Sequence, residues 1–204
     1  MRKVHNLMGS FRIGISGVCM VALGGCAAIG GAKPIADTYE INIPTISETS
    51  PVRRGTQILI AEPAALKALD SQNIVVQTDP LTIRYLDESQ WSDRLPKLVQ
   101  VRLAQAFQNA DRFKGVGLPG QGLAIDYQIV TDIRAFGIEA LTNTARVAVA
   151  VKILNDRNGV VASERVFESR VVSSSGSNSA YVAALDSAFE AVTRDIVAWT
   201  TSKI

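Results

Sequence analysis

Residues 146–172 have the sequence RVAVAVKILNDRNGVVASERVFESRVV, and the architecture of the chain can be built up from it. Its first nine residues alternate, so that one face of a strand carries Val147, Val149, Val151 and Ile153. Residues 155–159 have the composition of a turn, and residues 160–172 leave that turn as a partner strand. The pattern predicts an antiparallel hairpin with one buried face.

A further strand precedes this hairpin. One face of it carries Ile125, Tyr127, Ile129 and Ile133, and the other carries Asp126, Gln128, Asp132 and Arg134. Together with the hairpin, it predicts an antiparallel meander. Two carboxylates on one face allow acid–base chemistry, but such a row is far more often the solvated face of a sheet, and we favour that interpretation.

Shorter apolar runs predict further strands upstream. Residues 57–61, 73–77 and 82–86 have strand composition, and residues 39–43 alternate as an edge strand that ends at Pro44. The glycine-rich residues 115–122 lack the Lys-Ser/Thr pair of a phosphate-binding loop and are typical of a turn.

Two segments instead show the period of an amphipathic helix. The first apolar stripe comprises Trp91, Leu95, Leu98, Val99, Leu103, Ala106 and Phe107. Pro96 is tolerated only in the first turn, so we expect this helix to begin near Leu95, with Trp91 in the approach. The second stripe comprises Tyr181, Leu185, Ala188, Phe189, Val192, Ile196 and Trp199. Its polar face has mixed charges, which favours packing in the core over binding to a membrane.

These elements predict one α/β (α+β) domain in which two long amphipathic helices pack on one face of a largely antiparallel sheet. We place this domain at residues 57–204. Residues 26–56 are rich in Gly, Pro, Ser and Thr and are predicted to be a tether. A flexible leash of some thirty residues reaches about 30 Å.

The N-terminus has the order of a secretory signal: basic residues, a short apolar core and small residues, over residues 1–25. The sequence Leu23-Gly24-Gly25-Cys26 resembles the lipobox of bacterial lipoproteins. That resemblance implies cleavage before Cys26 and acylation of this cysteine, with acyl chains such as palmitate as the anchor. The alternative is an ordinary secretory signal with a chance cysteine beside its cleavage site.

Removal of residues 1–25 changes the overall charge. The segment contains Arg2, Lys3 and Arg12 and no acid, so 18 of 21 basic residues and all 19 acidic ones remain, a net charge of −1. This balance argues against nucleic acid as a partner. His5 and Cys19 leave with the segment, which excludes Ser-His-Asp and Cys-His catalysis and zinc sites built on histidine or paired cysteines. We therefore predict no catalytic residue, no cofactor, no metal site and no enzyme activity.

Several blocks in the body of the chain carry a family resemblance. In order they are residues 58–63 (ILIAEP), 68–74 (ALDSQNI), 83–85 (IRY), 91–100 (WSDRLPKLVQ), 103–107 (LAQAF) and 126–136 (DYQIVTDIRAF). They resemble the ABC-type transport auxiliary lipoproteins, the family that includes PqiC. The blocks WSDRLP and TDIRAF are the most specific parts of the match.

The resemblance implies an auxiliary component of an intermembrane lipid-transport system. Its implied partners are an Mce-domain protein with its ABC permease and ATPase. The resemblance is also consistent with a phospholipid ligand. Because the implied partner forms a ring, the resemblance further suggests a homo-oligomer. Many lipoproteins that stay in the inner membrane have aspartate directly after the acylated cysteine. This chain has Ala27 at that position, which favours the periplasmic face of the outer membrane.

Trp91, Asp93 and Arg94 are the candidate partner interface, although Trp91 is equally well placed to fill the core. Two other functions stay open. One is an anchored adaptor of another envelope export or assembly machine. The other is an anchored, carboxylate-dependent cell-wall hydrolase, which needs two carboxyl groups about 5–9.5 Å apart in a cleft.

Overall fold

A computed structural model describes residues 36–44, 46 and 53–204, which all lie within one compact unit, Ile35–Ile204. Within the described residues there are nine strands, two α-helices and one 3-10 turn. In chain order they are β1 (Asp37–Tyr39), β2 (Arg53–Ile60), β3 (Ala64–Ala65), β4 (Asn73–Asp79), β5 (Thr82–Trp91), α1 (Leu95–Ala110), β6 (Phe113–Gly117), β7 (Tyr127–Glu139), the 3-10 turn (Ala140–Thr142), β8 (Thr144–Asn155), β9 (Val161–Val172) and α2 (Asn178–Lys203). The predicted α/β class is confirmed.

The long strand β7 organises the sheet. Along one side it pairs antiparallel with β8, which pairs antiparallel with β9, so the predicted meander is present. Along its other side, β7 pairs in parallel with β2, β3 and β4 in succession. Strand β6 extends the sheet beyond β2, while β5 and then β1 extend it beyond β4. The longest ladders are antiparallel, and the short parallel strands make the sheet mixed.

The hairpin β8–β9 buries the face that its alternation predicts. The four apolar residues Val147, Val149, Val151 and Ile153 are all buried. The backbone N–H of Asn155 donates to the carbonyl oxygen of Val160 at 2.9 Å, which closes the predicted turn. The charged residues of these two strands lie on the open face, except Arg165, whose guanidinium lies 4.9 Å from the centre of the Phe167 ring on the helix face.

Both helices pack on the same face of the sheet, and their stripes form its core. Helix α1 begins at Leu95 with Pro96 in its first turn, as predicted. Gln100, buried on α1, donates from Nε2 to the carbonyl oxygen of Ile60 at 3.0 Å and ties the helix to β2. Helix α2 is capped by Ser177, whose Oγ accepts from the N–H of Ala180 at 3.3 Å. The serine-rich segment before α2 therefore has a structural role as a helix cap.

Three local features differ from the predicted pattern. Strand β5 continues through Trp91, which the helix pattern had placed in the approach to α1. Residues 115–117 of the glycine-rich segment belong to strand β6 rather than to a turn. The edge strand near the N-terminus is Asp37–Tyr39, two residues earlier than the alternation predicts. In the part of the chain that the structure describes, no helix has the length and apolar character needed to span a bilayer.

Candidate functional site

Cys26, the predicted lipidation site, lies outside the described residues, but the segment that follows it is visible from residue 36. Residues 37–42, here called the N-terminal strap, pack onto the domain. The strap pairs with β5 through β1, and Ile41 is buried in the core. Asn42 donates from its backbone N–H and from Nδ2 to the two carboxylate oxygens of Asp186 on α2, at 2.8 and 2.7 Å.

Arg102 on α1 fixes the strap from the other helix. Its guanidinium donates to the carbonyl oxygen of Ile41 at 2.5 Å and to the carboxylate of Glu40 at 2.7 Å. The strap is thus bonded to both helices and to the sheet edge. Part of the segment predicted to be a tether is therefore an ordered part of the folded body.

The three residues of the candidate partner interface are not equivalent. Trp91 is 1% exposed, and its ring meets that of Phe136 edge-on at 5.8 Å. Phe136 in turn packs against Phe189 of α2 at 5.8 Å. Trp91 therefore fills the core and presents no surface to a partner. Asp93 and Arg94 are exposed beside it.

Arg94 is the centre of a surface cluster of charges. Its guanidinium donates to Asp70 from Nε at 2.8 Å and lies 3.2 Å from a carboxylate oxygen of Glu62. The hydrogen bond from Arg94 lowers the pKa of the Asp70 carboxyl, and the same bond raises the pKa of the Arg94 guanidinium. Because the pair is exposed, it stabilises the fold little. Its role is to hold the start of α1 against the loop after β3.

The two carboxylates considered for acid–base chemistry are engaged in different ways. Asp126 accepts from the backbone N–H of Gln57 at 3.0 Å and from Arg157 at 2.7 Å. The Gln57 N–H, followed by Arg157, lowers the pKa of Asp126, whereas a general acid needs a raised pKa. Asp132 forms an exposed ion pair with Arg134 at 3.7 Å. Among the described residues, no three His, Cys, Asp or Glu side chains are grouped as a metal site requires.

Asp126 gives a testable dependence of stability on pH. Its pKa is lower in the folded chain than the unfolded value of 3.8, so folding is stabilised by the carboxylate above that value, and the stabilisation is lost as the pH falls through the folded pKa. We expect Asp126→Asn to lower the free energy of unfolding by about 1 kcal/mol near neutral pH, with the difference closing as the pH falls below 3.8 and through the lowered pKa of the folded chain. Urea denaturation across this range measures it.

The matched control for this experiment is Asp132→Asn. Its carboxylate is 52% exposed, so the substitution is expected to change the free energy of unfolding by less than about 0.5 kcal/mol at any of these pH values. A difference for Asp126→Asn that stays constant from neutral to acid pH contradicts the assignment, because an effect of packing alone does not titrate.

The face of the sheet opposite the helices carries a groove that the sequence did not predict. Cross-strand pairing places Val75 of β4, Gly137 of β7 and Arg146 of β8 side by side on this open face. The groove has a volume of about 290 Å³, and Leu66, Leu69, Val75 and Ile83 line it. Leu66 is 77% exposed and Ile83 46% exposed, which is unusual for large apolar side chains that line a concave surface.

A network of charges fixes the end of this groove nearest β9. Arg146 donates to the two carboxylate oxygens of Glu168 at 3.0 and 3.3 Å, and Arg170 bridges Glu168 and Glu139 at 3.0 and 2.8 Å. The hydrogen bond from Arg146, followed by that from Arg170, lowers the pKa of Glu168. These four side chains satisfy one another across three strands.

Comparison with known proteins adds an independent finding. A family model described as the ABC-type transport auxiliary lipoprotein component matches residues 39–197. An uncharacterised protein of Bradyrhizobium diazoefficiens is 30% identical over 175 residues, which cover 84% of this chain and 46% of that protein. The chain therefore spans about half the length of this relative.

Two solved structures share the fold. A crystal structure of a Xanthomonas campestris protein, described by the family model DUF330, has a TM-score of 0.75 at 22% identity and covers 82% of this chain and 96% of that one. The crystal structure of an uncharacterised protein has a TM-score of 0.64 at 12% identity, with 79% and 96% covered. At these identities the likeness concerns the fold alone.

Proposed function

The chain belongs to the family of ABC-type transport auxiliary lipoprotein components, and on this premise we propose that it serves an ABC/Mce-type system that moves lipid between membranes. In this proposal the protein is anchored through Cys26 to the periplasmic face of the outer membrane. Its partners there are an Mce-domain protein with the associated permease and ATPase, and its own role is not enzymatic. The match of residues 39–197 to the family is the observation that carries the proposal.

The N-terminal strap shortens the link between the proposed lipid anchor and the folded domain. Because the chain is bonded to the body from Asp37 onward, only residues 27–36 separate Cys26 from the folded unit. Even fully extended, ten residues span at most about 35 Å, about a third of the fully extended length of the whole predicted tether. The anchor and the strap therefore keep the domain close to the bilayer, where its local concentration near membrane-bound partners is high.

Cys26→Ala is the substitution that tests the anchor and the partner together. We expect it to move the protein from the membrane fraction to the soluble fraction or to leave it with its signal uncleaved, since the acyl chains are lost. Envelopes are crosslinked, the protein is recovered by an affinity tag, and bound proteins are identified by mass spectrometry. The unchanged protein is expected to recover an Mce-domain protein with its permease and ATPase, and Cys26→Ala to recover at least about tenfold less of them.

Cys19→Ala is the matched control, since this second cysteine lies within the predicted signal and is removed with it. It is expected to leave anchoring and partner recovery unchanged. Recovery of a different export or assembly machine favours the adaptor function. Recovery of no transport component, together with release of wall fragments by the purified protein, favours the hydrolase and contradicts the proposal.

A further inference from the structure

We propose that the end of the sheet that carries Leu81 and Leu141 is a membrane-contact surface, and that both leucines insert into the bilayer that holds the lipid anchor. The inference rests on the proposed function for the anchor at Cys26 and extends it, because it assigns one end of the folded domain to the lipid surface. It follows from the exposure of these side chains, from the low charge of the segments that carry them, and from the direction in which the chain enters the fold.

The two leucines are exposed at the same end of the sheet. Leu81 is in the turn between β4 and β5 and is 97% exposed, and Leu141 is in the 3-10 turn after β7 and is 81% exposed. Strand β4 runs parallel to β7, so the two turns are neighbours, and Pro80 and Leu141 line the same hollow of about 300 Å³. Val172, which is 72% exposed, pairs with Thr144 at the start of β8 and so ends β9 at the same end of the sheet. Exposed apolar side chains that are grouped in this way are typical of a contact surface.

The segments at this end carry almost no charge. Residues 78–82, 140–144 and 172–177 contain Asp79 as their one charged residue. The four charged side chains beside them in β7, β8 and β9 neutralise one another in the network that fixes the end of the groove. At the opposite end of the β8–β9 hairpin, by contrast, residues 155–159 include charges of both signs. Contact with lipid at the leucine-bearing end therefore removes few charges from water.

The polar groups of the two turns are bonded within the turns. The carboxylate of Asp79 accepts from the backbone N–H of Leu81 at 2.9 Å, and the hydroxyl of Thr144 donates to the carbonyl oxygen of Thr142 at 3.1 Å. Because unbonded backbone groups are costly in an apolar medium, these hydrogen bonds lower the cost of placing the turns at the boundary between headgroups and acyl chains. The leucine side chains supply the gain, since their apolar surface leaves water.

The direction in which the chain enters the domain points to the same end. Strand β1 runs parallel to β5, with Asp37 beside Ser89, and β5 starts at the turn that carries Leu81. The chain therefore enters β1 from the side of that turn. Ser89 lies seven residues along β5 from Thr82, which is about 23 Å at 3.3 Å per residue. Ten residues extend to about 35 Å, so the anchor at Cys26 can reach the level of the leucines.

Fluorescence quenching by labelled lipid tests the contact. The proposed processing removes Cys19 and acylates Cys26, so Leu81→Cys introduces the one free thiol of the mature chain. This thiol is labelled with nitrobenzoxadiazole in the full, lipid-anchored protein. The protein is then placed in vesicles of phosphatidylethanolamine and phosphatidylglycerol, with or without a nitroxide on the acyl chains. Val160→Cys, 58% exposed at the opposite end of the hairpin, is the position control. We expect the nitroxide to lower the emission at position 81 by at least about threefold and at position 160 by less than about 1.2-fold.

Substitution of the leucines tests their part in the contact. With the label on Val172→Cys, the double substitution Leu81→Asn and Leu141→Asn is expected to lower the quenching by about threefold, because the apolar driving force is lost. Val160→Asn is the matched control and is expected to leave the quenching unchanged. Both leucines are exposed, so the double variant is expected to keep its fold, which circular dichroism checks.

Several outcomes overturn the inference. Equal quenching at positions 81 and 160 shows that the anchored domain has no preferred orientation on the bilayer. Quenching at position 172 that is indifferent to the double substitution removes the leucines from the contact. In cells, the photo-crosslinking amino acid benzoylphenylalanine at position 81 is expected to form a phospholipid adduct. A protein adduct there shows instead that a partner covers this end of the sheet.

The same vesicles separate this inference from the proposed function on which it rests. A chain that does not float with the vesicles lacks the anchor, which contradicts the proposed function and the inference together. A chain that floats with the vesicles but shows no quenching at position 81 contradicts this inference alone, and the partner recovery from crosslinked envelopes is unaffected by that result.

Discussion

Trp91→Ala is expected to lower the free energy of unfolding by about 4 kcal/mol, because the substitution removes the largest fully buried side chain of the core. The Trp91 indole, carried by β5, contacts the ring of Phe136 on β7. Phe136 in turn packs against Phe189 on α2. Its loss leaves a cavity where sheet and helix layer meet. Urea denaturation followed by circular dichroism measures the change.

Arg94→Ala is the comparison variant, because it removes an exposed side chain that could contact a partner and leaves the buried core intact. Arg94 belongs to the same family-specific block, yet it is 50% exposed, so its removal is expected to leave the free energy of unfolding almost unchanged. If the two exposed residues of the block contact a partner, Arg94→Ala weakens partner recovery while the protein stays folded. Equal, small changes in stability for Trp91→Ala and Arg94→Ala contradict the core assignment of Trp91.

The parts of the fold that could be predicted from the sequence are those determined by local sequence patterns. Strict alternation in β8 marks the buried face, and Pro96 limits where α1 can begin, so both elements were predicted close to their observed bounds. The pairing of strands is not coded in this local way. Nothing near β2, β3 or β4 indicates that all three lie parallel to β7, because alternation identifies a face and not a neighbour.

The glycine-rich segment shows a second limit. Gly117 is in strand β6, and a Cβ at this position would collide with the side chain of Leu123. Here glycine allows a close approach within a strand, a role that composition alone cannot distinguish from a turn. The groove could not be predicted from the sequence either, because Leu66, Ile83 and Arg134 are far apart in sequence and meet only through the strand order.

Gly137→Ala is expected to destabilise the protein by about 3 kcal/mol, because the site has no room for a methyl group. A Cβ at this position would lie 2.6 Å from the carbonyl oxygen of Val75 and 3.1 Å from its Cβ. The first of these atoms belongs to the backbone of β4, which pairs with β7 here, so the clash is relieved only if the two strands move apart. Urea denaturation measures the loss.

Gly55→Ala provides the matched control, since Gly55 also lies in a strand but a Cβ there would have nothing within 4 Å. This substitution is expected to be neutral or to stabilise by about 0.5 kcal/mol, through the lower entropy of the unfolded chain. A similar small effect at both glycines contradicts the steric argument. A specific loss at Gly137 shows that tight β4–β7 pairing is required, and the same pairing forms the floor of the groove on the open face.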